Sequence, residues 1–493
     1  MNDELRQKVR DNAKYLRNVR PIDADEIAEY VESQPHPGVV RQILREEAAS
    51  LGLVEREDRT FAPVEEGPIT PTFRGVEAFP PEYGHRLEDL LVGKFGVDWQ
   101  DGESGDELRA AIRKLKEDYY WNNPVEYGET AALGYAVYHL PDNYAVVQYV
   151  LDELGEEGLL DRDLRVLDVG AGVGGPALGV ADYLPEDALV RYDAVEPSDP
   201  AAEVFDHMLE DAGRNFHAER HRELAEEFEV PEDREYDLLL FANVLNELDD
   251  PEAVVRRYLD ALAEDGALLA IEPADRETAI GLREVERAIA DEGDEVSVFS
   301  PTLRLWPGER PTDRGWSFDV KPDLEVPGFQ RRLDEGERGP DAGSRGGAGG
   351  ASDAEDHPAP GSGEFVNADV QFAYSILRPD GRRKLDFTAD ADRVAKMAEM
   401  DRHVTQRIDL AAVKLSHSLA EGDANPLFKI GDGSESEDHF AVLTRETSLN
   451  RDLKRADYGD LLSFEGVLAL WNDDEEAYNL VVDEETIVDA VPV

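Results

Sequence analysis

The stretch Leu164–Leu184, LRVLDVGAGVGGPALGVADYL, decides how the rest of the chain is read. An apolar run ends at Asp168, glycines follow at Gly170, Gly172 and Gly174, and an apolar segment of helical period starts at Pro176. Those signals predict strand, tight loop, helix. Glycines let the backbone turn sharply and approach a ligand that a Cβ would hold off, at a helix N-terminus whose N–H groups lack partners. Alone, such a loop says little, because many doubly wound sheets contain one. Its surroundings say more. Asp168 stands inside a D-x-G-x-G-x-G pattern, and a second apolar run, ALVRYDAVEP, ends at Glu196. That is roughly the 20-residue spacing of a carboxylate that holds a ribose diol.

Outward from this stretch, residues 155–335 alternate strand and helix, with strands expected at 164–169, 189–195, 236–242 and 266–271. Asp250 followed by Pro251 reads as an N-cap with proline in the first turn, before the apolar positions Val254, Val255, Tyr258, Leu259 and Leu262. Residues 365–394 hold an aromatic, β-branched run, VQFAYSILRPDGRRKLDF, expected to return as a late antiparallel strand. The fold class is therefore α/β, a doubly wound Rossmann-like core with its ligand crevice at the carboxyl ends of the strands. Three further features fall on that edge: Glu196, the FANVLNEL segment Phe241–Leu248, and Glu272-Pro273. Asn243 is the expected acceptor-side contact, with Asn246 and Glu247 behind it as further catalytic candidates. No N-P-P-Y or D-P-P-Y is present to hold an exocyclic amine, and FANV stands in its place.

The flanks read differently. Residues 1–75 give helix, turn, helix and hairpin. Asp23 and Glu26 form a capping-box pattern, Gly52 ends a helix carrying Val40, Ile43 and Leu44, and LVERE and RTFAPV form the hairpin. This winged-helix-like order often meets nucleic acid through its second helix, and it equally serves as a packing or protein-contact domain. Residues 76–154 are a helical lead-in, with Ser104 and Glu107 as another capping box. Its aromatics (Tyr119, Tyr120, Trp121, Tyr135, Tyr138, Tyr144) either line a substrate cleft or form a lid core. Ser300–Pro322, rich in proline and tryptophan, is expected as an ordered surface loop. Residues 336–364 are low in complexity with almost nothing to bury, and are expected to be disordered. Residues 395–493 hold short alternating segments between acidic turns, the pattern of a small OB-like β-barrel.

Composition sets the limits. Of 493 residues, 51 are basic and 111 acidic, leaving a net charge of −60. The excess is spread along the chain and lysine is scarce beside arginine, which points to a halophilic surface. At about 1 M salt the Debye length is only ~3 Å, so net charge discriminates poorly between partners. No apolar run reaches the roughly 20 residues of a membrane span and the start MNDELRQKVRDN has no signal-peptide core, so a cytoplasmic protein with no membrane partner is expected. Without cysteine there is no thiolate nucleophile, no disulfide and no cysteine-ligated cluster. The ten histidines are not read as ligands, and no metal is expected.

With an acidic end to both strands, the core resembles class I S-adenosylmethionine-dependent methyltransferases more than dehydrogenases. That resemblance implies S-adenosyl-L-methionine as cofactor, held by Asp168, Gly170, Gly172, Gly174, Glu196 and Asn243. From Tyr135 to Leu385 the order YHLPDNYAVVQYVLDEL, glycine loop, YDLLLFANVLNEL, AIEPAD and FAYSILRPDGRR is similar to the Rsm-type methyltransferase-like proteins of the small ribosomal subunit. This chain is read as a halophilic, archaeal-type member. The resemblance implies methylation of ribosomal RNA, or small-subunit assembly, with structured RNA or the small subunit as partner. Two alternatives stand beside it: a non-catalytic assembly factor that keeps the fold as a scaffold, and a small-molecule or protein methyltransferase. Family members often carry cysteines thought to hold an iron–sulfur cluster. Here Ser300-Pro301 and Trp316-Ser317-Phe318 stand at those places, so no cluster is expected.

Overall fold

The computed structural model describes residues 3–121, 128–210, 212–231, 234–293, 295–338 and 360–492. The chain divides into two compact units, Met1–Leu238 with Asp323–Asp369, and Leu239–Pro322 with Val370–Val493. Most of the low-complexity stretch expected to be disordered, 339–359, lies outside the described residues.

The first unit opens with helices α1 (Asp3–Leu16), α2 (Ala24–Tyr30) and α3 (Pro37–Leu51), then strands β1 (Leu53–Glu55) and β2 (Phe61–Pro63). The strands pair antiparallel with Leu53 opposite Pro63, and Ile22 adds a single antiparallel bridge to Phe61. Asp23 caps α2 through the Asp25 N–H, while Gly52 ends α3 in the left-handed region at φ +63°. The expected capping box does not close, because Glu26 pairs with Arg20. Ile22, Ile27, Val40, Ile43, Leu44, Leu51 and Phe61 share one small core.

Three helices follow: α4 (Pro81–Phe95), α5 (Gly102–Tyr120) and α6 (Glu129–Gly155). Helix α5 starts after Asp101, so Ser104 lies inside its first turn and is not its cap. Glu107 instead accepts a hydrogen bond from the Thr130 hydroxyl at 2.8 Å. Next come β3 (Asp163–Val169), α7 (Gly175–Tyr183), β4 (Leu189–Val195), α8 (Asp199–Met208), β5 (Phe216–His221) and β6 (Tyr236–Ala242). In this unit the strand order is β5-β4-β3-β6, with β3–β4 and β4–β5 parallel and Asp168 level with Ala194. Strand β5 is absent from the strands expected from sequence. Its residues, FHAERH, are half-buried or exposed throughout, so no apolar alternation marks it. Helix α6 packs closely on α7: a Cβ on Gly179 would lie 2.3 Å from Val147 Cγ1 and 2.6 Å from the Tyr144 carbonyl.

The boundary between the units falls inside β6. After it come a 3-10 turn (Leu245–Glu247), α9 (Pro251–Leu259), β7 (Leu262–Pro273), α10 (Arg276–Ala290), β8 (Ser297–Ser300) and β9 (Asp319–Lys321). Helix α11 (Gly328–Glu335) belongs to the first unit, and β10 (Val370–Arg378) to the second. Here the order is β6-β7-β10-β8, with β9 on β10. Strand β10 runs antiparallel to β7, Tyr374 opposite Ile271, as the return strand was expected to do. Asp250 caps α9 through the Ala253 N–H.

The expected surface loop after Ser300 is instead packed inside the unit: Ser300, Thr302, Leu305, Trp306, Asp313 and Ser317 are all buried. Proline and glycine signal a loop but not what covers it. Here the cover is the remaining module, since Trp306 Nε1 donates to Asp432 Oδ2 at 2.7 Å.

That module consists of β11 (Arg407–Lys414), β12 (Leu427–Gly431), β13 (His439–Leu443), α12 (Asp452–Arg455), β14 (Leu461–Asn472), β15 (Ala477–Val482) and β16 (Ile487–Ala490). The order β11-β12-β13-β15-β14 is closed by β11–β14 pairing, giving a five-stranded barrel with β16 added on β14. Strands β13 and β15 are parallel, and the other pairs antiparallel. A register shift between Ile408 and Leu410 supplies the bend that closure needs. Phe428, Ile430, Leu462, Phe464, Val467 and Leu480 fill the interior, with Met397 and Met400 plugging it.

Candidate active site

Beyond Asp168 the backbone leaves β3 through Gly170, Gly172 and Gly174, at φ +78°, +53° and +91°. A Cβ on Gly174 would meet Phe205 Cδ2 at 3.0 Å, whereas one on Gly172 finds only the Gly170 carbonyl at 3.9 Å. The loop is thus pressed onto α8 at one end and open at Gly172. The Gly170 and Ala171 N–H groups both donate to the Val195 carbonyl. Glu196, directly after β4, is turned towards the loop. Its Oε2 accepts the Gly172 N–H at 2.9 Å and its Oε1 the Ser198 N–H at 2.7 Å, just where Ser198 caps α8.

Asp168 lies beneath the loop, fully buried. Its Oδ2 accepts the Tyr192 hydroxyl at 2.6 Å, and its Oδ1 has no hydrogen-bond partner among the described residues. Burial pushes its carboxyl up to about 7, against the pull of the Tyr192 bond and with a push from the Glu196 charge. An unsatisfied buried acceptor costs about 1–3 kcal/mol, so the site favours an entering donor, above all a cationic one. A ligand with an ammonium group at one end and hydroxyls at the other fits this pair of carboxylates. Tyr192 escaped the sequence reading. Strand alternation was the available signal, because Tyr192 is level with Val166 and so shares the face of Asp168.

Asp193 takes the opposite face. Burial alone would raise it, but bonds from His221, Tyr236 and Arg234 hold it below the usual carboxylate range. Asp193, Glu219 and His221 bring three ligand-type atoms within 4.8 Å of one another, yet both Asp193 oxygens are already bonded to Arg234. His217 and His221 stand four apart, a ligand spacing on a helix, but on strand β5 the same step spans ~13 Å.

The other expected residues lie in the second unit, on the turn after β6. Asn243 is half-buried at φ +57°, with its N–H donating to the Ile271 carbonyl at 2.8 Å, while Asn246 and Glu247 are exposed. Asparagine is among the few non-glycine residues that adopt the left-handed region readily. Glu272, at the end of β7, holds the turn from behind through the Leu245 N–H at 2.8 Å. Burial pushes it up to about 8. The two serines at the cluster positions are buried. Ser300 Oγ lies 3.2 Å from the Tyr374 hydroxyl, and Ser317 Oγ accepts from Arg283 Nε at 3.1 Å and lies 3.3 Å from the Tyr458 hydroxyl.

Comparison with protein families matches residues 142–324 to a methyltransferase domain family. Residues 6–57 and 398–491 match the N-terminal and C-terminal domains of a domain of unknown function, DUF8157. Residues 142–324, which include the strand, glycine loop and helix that bear Asp168 and Glu196, are therefore similar to a methyltransferase domain. No curated protein matches the chain. Among solved structures, the plantazolicin methyltransferase BpumL in complex with SAH is 12% identical, over 44% of this chain and 82% of that one, at a TM-score of 0.27. An S-adenosylmethionine-dependent methyltransferase from Clostridium acetobutylicum is 12% identical over 34% of this chain and 57% of that one, with a TM-score of 0.23. The YcgJ protein from Bacillus subtilis is 24% identical over 25% and 50%, with a TM-score of 0.20.

Proposed function

We propose that Asp168, the backbone of Gly170, Gly172 and Gly174, and Glu196 hold the methyl donor. The acceptor is a nucleotide of structured RNA in the small ribosomal subunit. The bound cofactor supplies an activated methyl on a sulfonium, so the chain's own work is to orient, desolvate and remove a proton. In this reading Asp168 Oδ1 receives the ammonium of the methionine moiety. Glu196 faces the ribose hydroxyls, and the open side of Gly172 gives the cofactor room.

The RNA reading is carried by the modules that flank the core. The barrel order β11-β12-β13-β15-β14, its parallel β13–β15 pair and a helix between β13 and β14 are those of an OB-type barrel. Such barrels commonly bind single-stranded nucleic acid. At the other end, helix, bridge strand, two helices and hairpin follow the order of a winged helix. The Rsm-type segment order from Tyr135 to Leu385 adds the ribosomal context.

Mass-spectrometric mapping of ribosomal RNA from a deletion strain against its parent tests this. A methyl mark lost from the small-subunit RNA is the expected result. An unchanged RNA profile alongside a missing methylated metabolite would replace RNA by a small molecule. Absence of S-adenosylhomocysteine binding by calorimetry in concentrated potassium chloride would overturn the donor site itself.

A further inference from the structure

We propose that His139, oriented by Asp142, accepts the proton that the methyl acceptor loses, and that Tyr119, Tyr135 and Tyr138 beside it on α5 and α6 receive a planar heteroaromatic ring. This rests on the methyltransferase reading and adds to it a base and an acceptor class.

The dyad stands where α6 breaks its own hydrogen-bond ladder. Pro141 lacks the N–H that the Val137 carbonyl would accept, and Gln330 Nε2, fully buried on α11, donates there instead at 2.9 Å. Asn367 binds the same turn. Its Nδ2 donates to the Tyr138 carbonyl at 3.1 Å and to Asp142 Oδ2 at 2.8 Å, while its N–H donates to Gln330 Oε1 at 3.0 Å. On this fixed turn His139 Nδ1 lies 3.2 Å from Asp142 Oδ2. Asn367 Nδ2 also approaches Nδ1, at 3.4 Å, but its two hydrogens are taken by the Tyr138 carbonyl and Asp142 Oδ2; the carboxylate accepts only, so we assign the proton to Nδ1 and leave Nε2 as the basic nitrogen.

Three rings surround the imidazole. Tyr135 and Tyr138 have centroids 4.9 Å away and Tyr119 6.5 Å, the last two edge-on. The His139 side chain keeps 28% of its surface exposed. A histidine serving only the core looks different in this chain: His439 is fully buried and stacked on Tyr478. The same turn of α6 adjoins the glycine loop. A Cβ on Gly175 would lie 2.8 Å from Asn143 Cβ and 3.3 Å from the Leu140 carbonyl, and Asn143 Nδ2 donates to the Tyr135 hydroxyl at 3.2 Å. The dyad thus occupies the helical turn that touches the exit of the glycine loop. Tyrosine faces suit a planar base, and sequence-tolerant stacking of this kind is how bases are held outside a duplex.

In the transfer the acceptor nitrogen's electron pair forms the new N–CH₃ bond, and the methyl–sulfur bond breaks with its pair going to sulfur. The acceptor's N–H proton passes to His139 Nε2, the imidazolium is balanced by Asp142, and the proton then leaves to water. The charged and titratable groups around the dyad are Asp142, Tyr135 and Tyr138 on α6, Tyr119 and Lys116 on α5, the latter with Nζ 4.0 Å from the Tyr138 ring centroid, and Glu364 and Asp369, whose charges act on Tyr138.

The test compares the full chain with His139→Gln, His139→Ala and Asp142→Asn. S-adenosylhomocysteine affinity by calorimetry is expected within twofold of the parent in all three. Methyl transfer to small-subunit RNA from the deletion strain is expected to fall about a hundredfold in both His139 variants, with the alanine form rescued by added imidazole. The fall in rate on acidification, expected of the parent, should vanish in the glutamine variant. Independently of turnover, ¹⁵N spectra of the imidazole should show the Nδ1-protonated tautomer, lost in Asp142→Asn, and should shift on titration with 5′-mononucleotides. A His139→Gln variant as active as the parent overturns the proposal, and so does an Nε2-protonated ring that ignores mononucleotides. Should the parent leave this RNA unmethylated, the RNA reading fails and the spectra alone decide the role of His139.

Discussion

Asp168 is held in a state that its surroundings penalise. Its folded-state carboxyl lies at about 7 against 3.8 for the free side chain, so the apo protein is stabilised by its protonated form. That contribution is full below about 4 and is lost as pH rises through 7. An ammonium group arriving at Oδ1 favours the ionised form, so binding of S-adenosylhomocysteine near pH 7 is expected to release protons. Calorimetry in two buffers of different ionisation heat measures it. Asp168→Asn should abolish the release and lessen the fall in apo melting temperature between pH 5 and 8, leaving the part that belongs to Glu272. No proton release in the parent would remove Asp168 from the ammonium. Asp168 and Glu196 were legible because a strand end and a 20-odd-residue spacing are local facts of the chain. Tyr192, 24 residues from Asp168, was hidden because its hydroxyl matters only once β3 and β4 lie side by side.

At the scale of elements, periodicity and caps carried the reading, and they failed where packing overrode them. Asp250 and Gly52 behave as their residue types require, whereas Ser104 lost the N-cap to a helix that begins two residues earlier. Strand β5 has no apolar face to announce it, and the buried 300–322 loop carries the residue types of a surface one. Helix α6 is the informative case, since an interior proline ordinarily ends a helix and here is tolerated because Gln330 replaces the missing donor. Gln330→Leu is expected to cost about 1–3 kcal/mol, because the Val137 carbonyl is left buried and unpaired. With Pro141→Ala the backbone can supply that bond itself, so the same leucine should cost markedly less. Denaturant unfolding of the four forms of this double-mutant cycle measures the coupling, and strict additivity would show that Gln330 does not serve the kink.

Over the whole molecule the net charge of −60 sets how stability depends on salt. Self-repulsion opposes the compact state, and at about 0.1 M salt the Debye length is ~10 Å against ~3 Å at 1 M. The melting temperature is therefore expected to rise with potassium chloride from about 0.1 M to 1 M and above, and a flat response in calorimetric scans would contradict this. Buried pairs respond little to salt: Glu286 is held near 2 by Arg283 and Arg304 despite its burial, as Asp313 is by Lys429 and Arg287. No helix among the described residues is long and apolar enough to cross a membrane. By itself the sequence determined the Rossmann-like core, the glycine loop with its two carboxylates and the β-rich end, because these depend on backbone dihedrals and on periods of two and 3.6 residues. Only the tertiary structure decided that the barrel closes through β11 and β14, that Ser317 bonds to Arg283, and that His139 shares Asp142 with Asn367. Apart from the His139–Asp142 step within α6, those partners lie far apart in sequence, and what joins them is the geometry of packing, which no local pattern encodes.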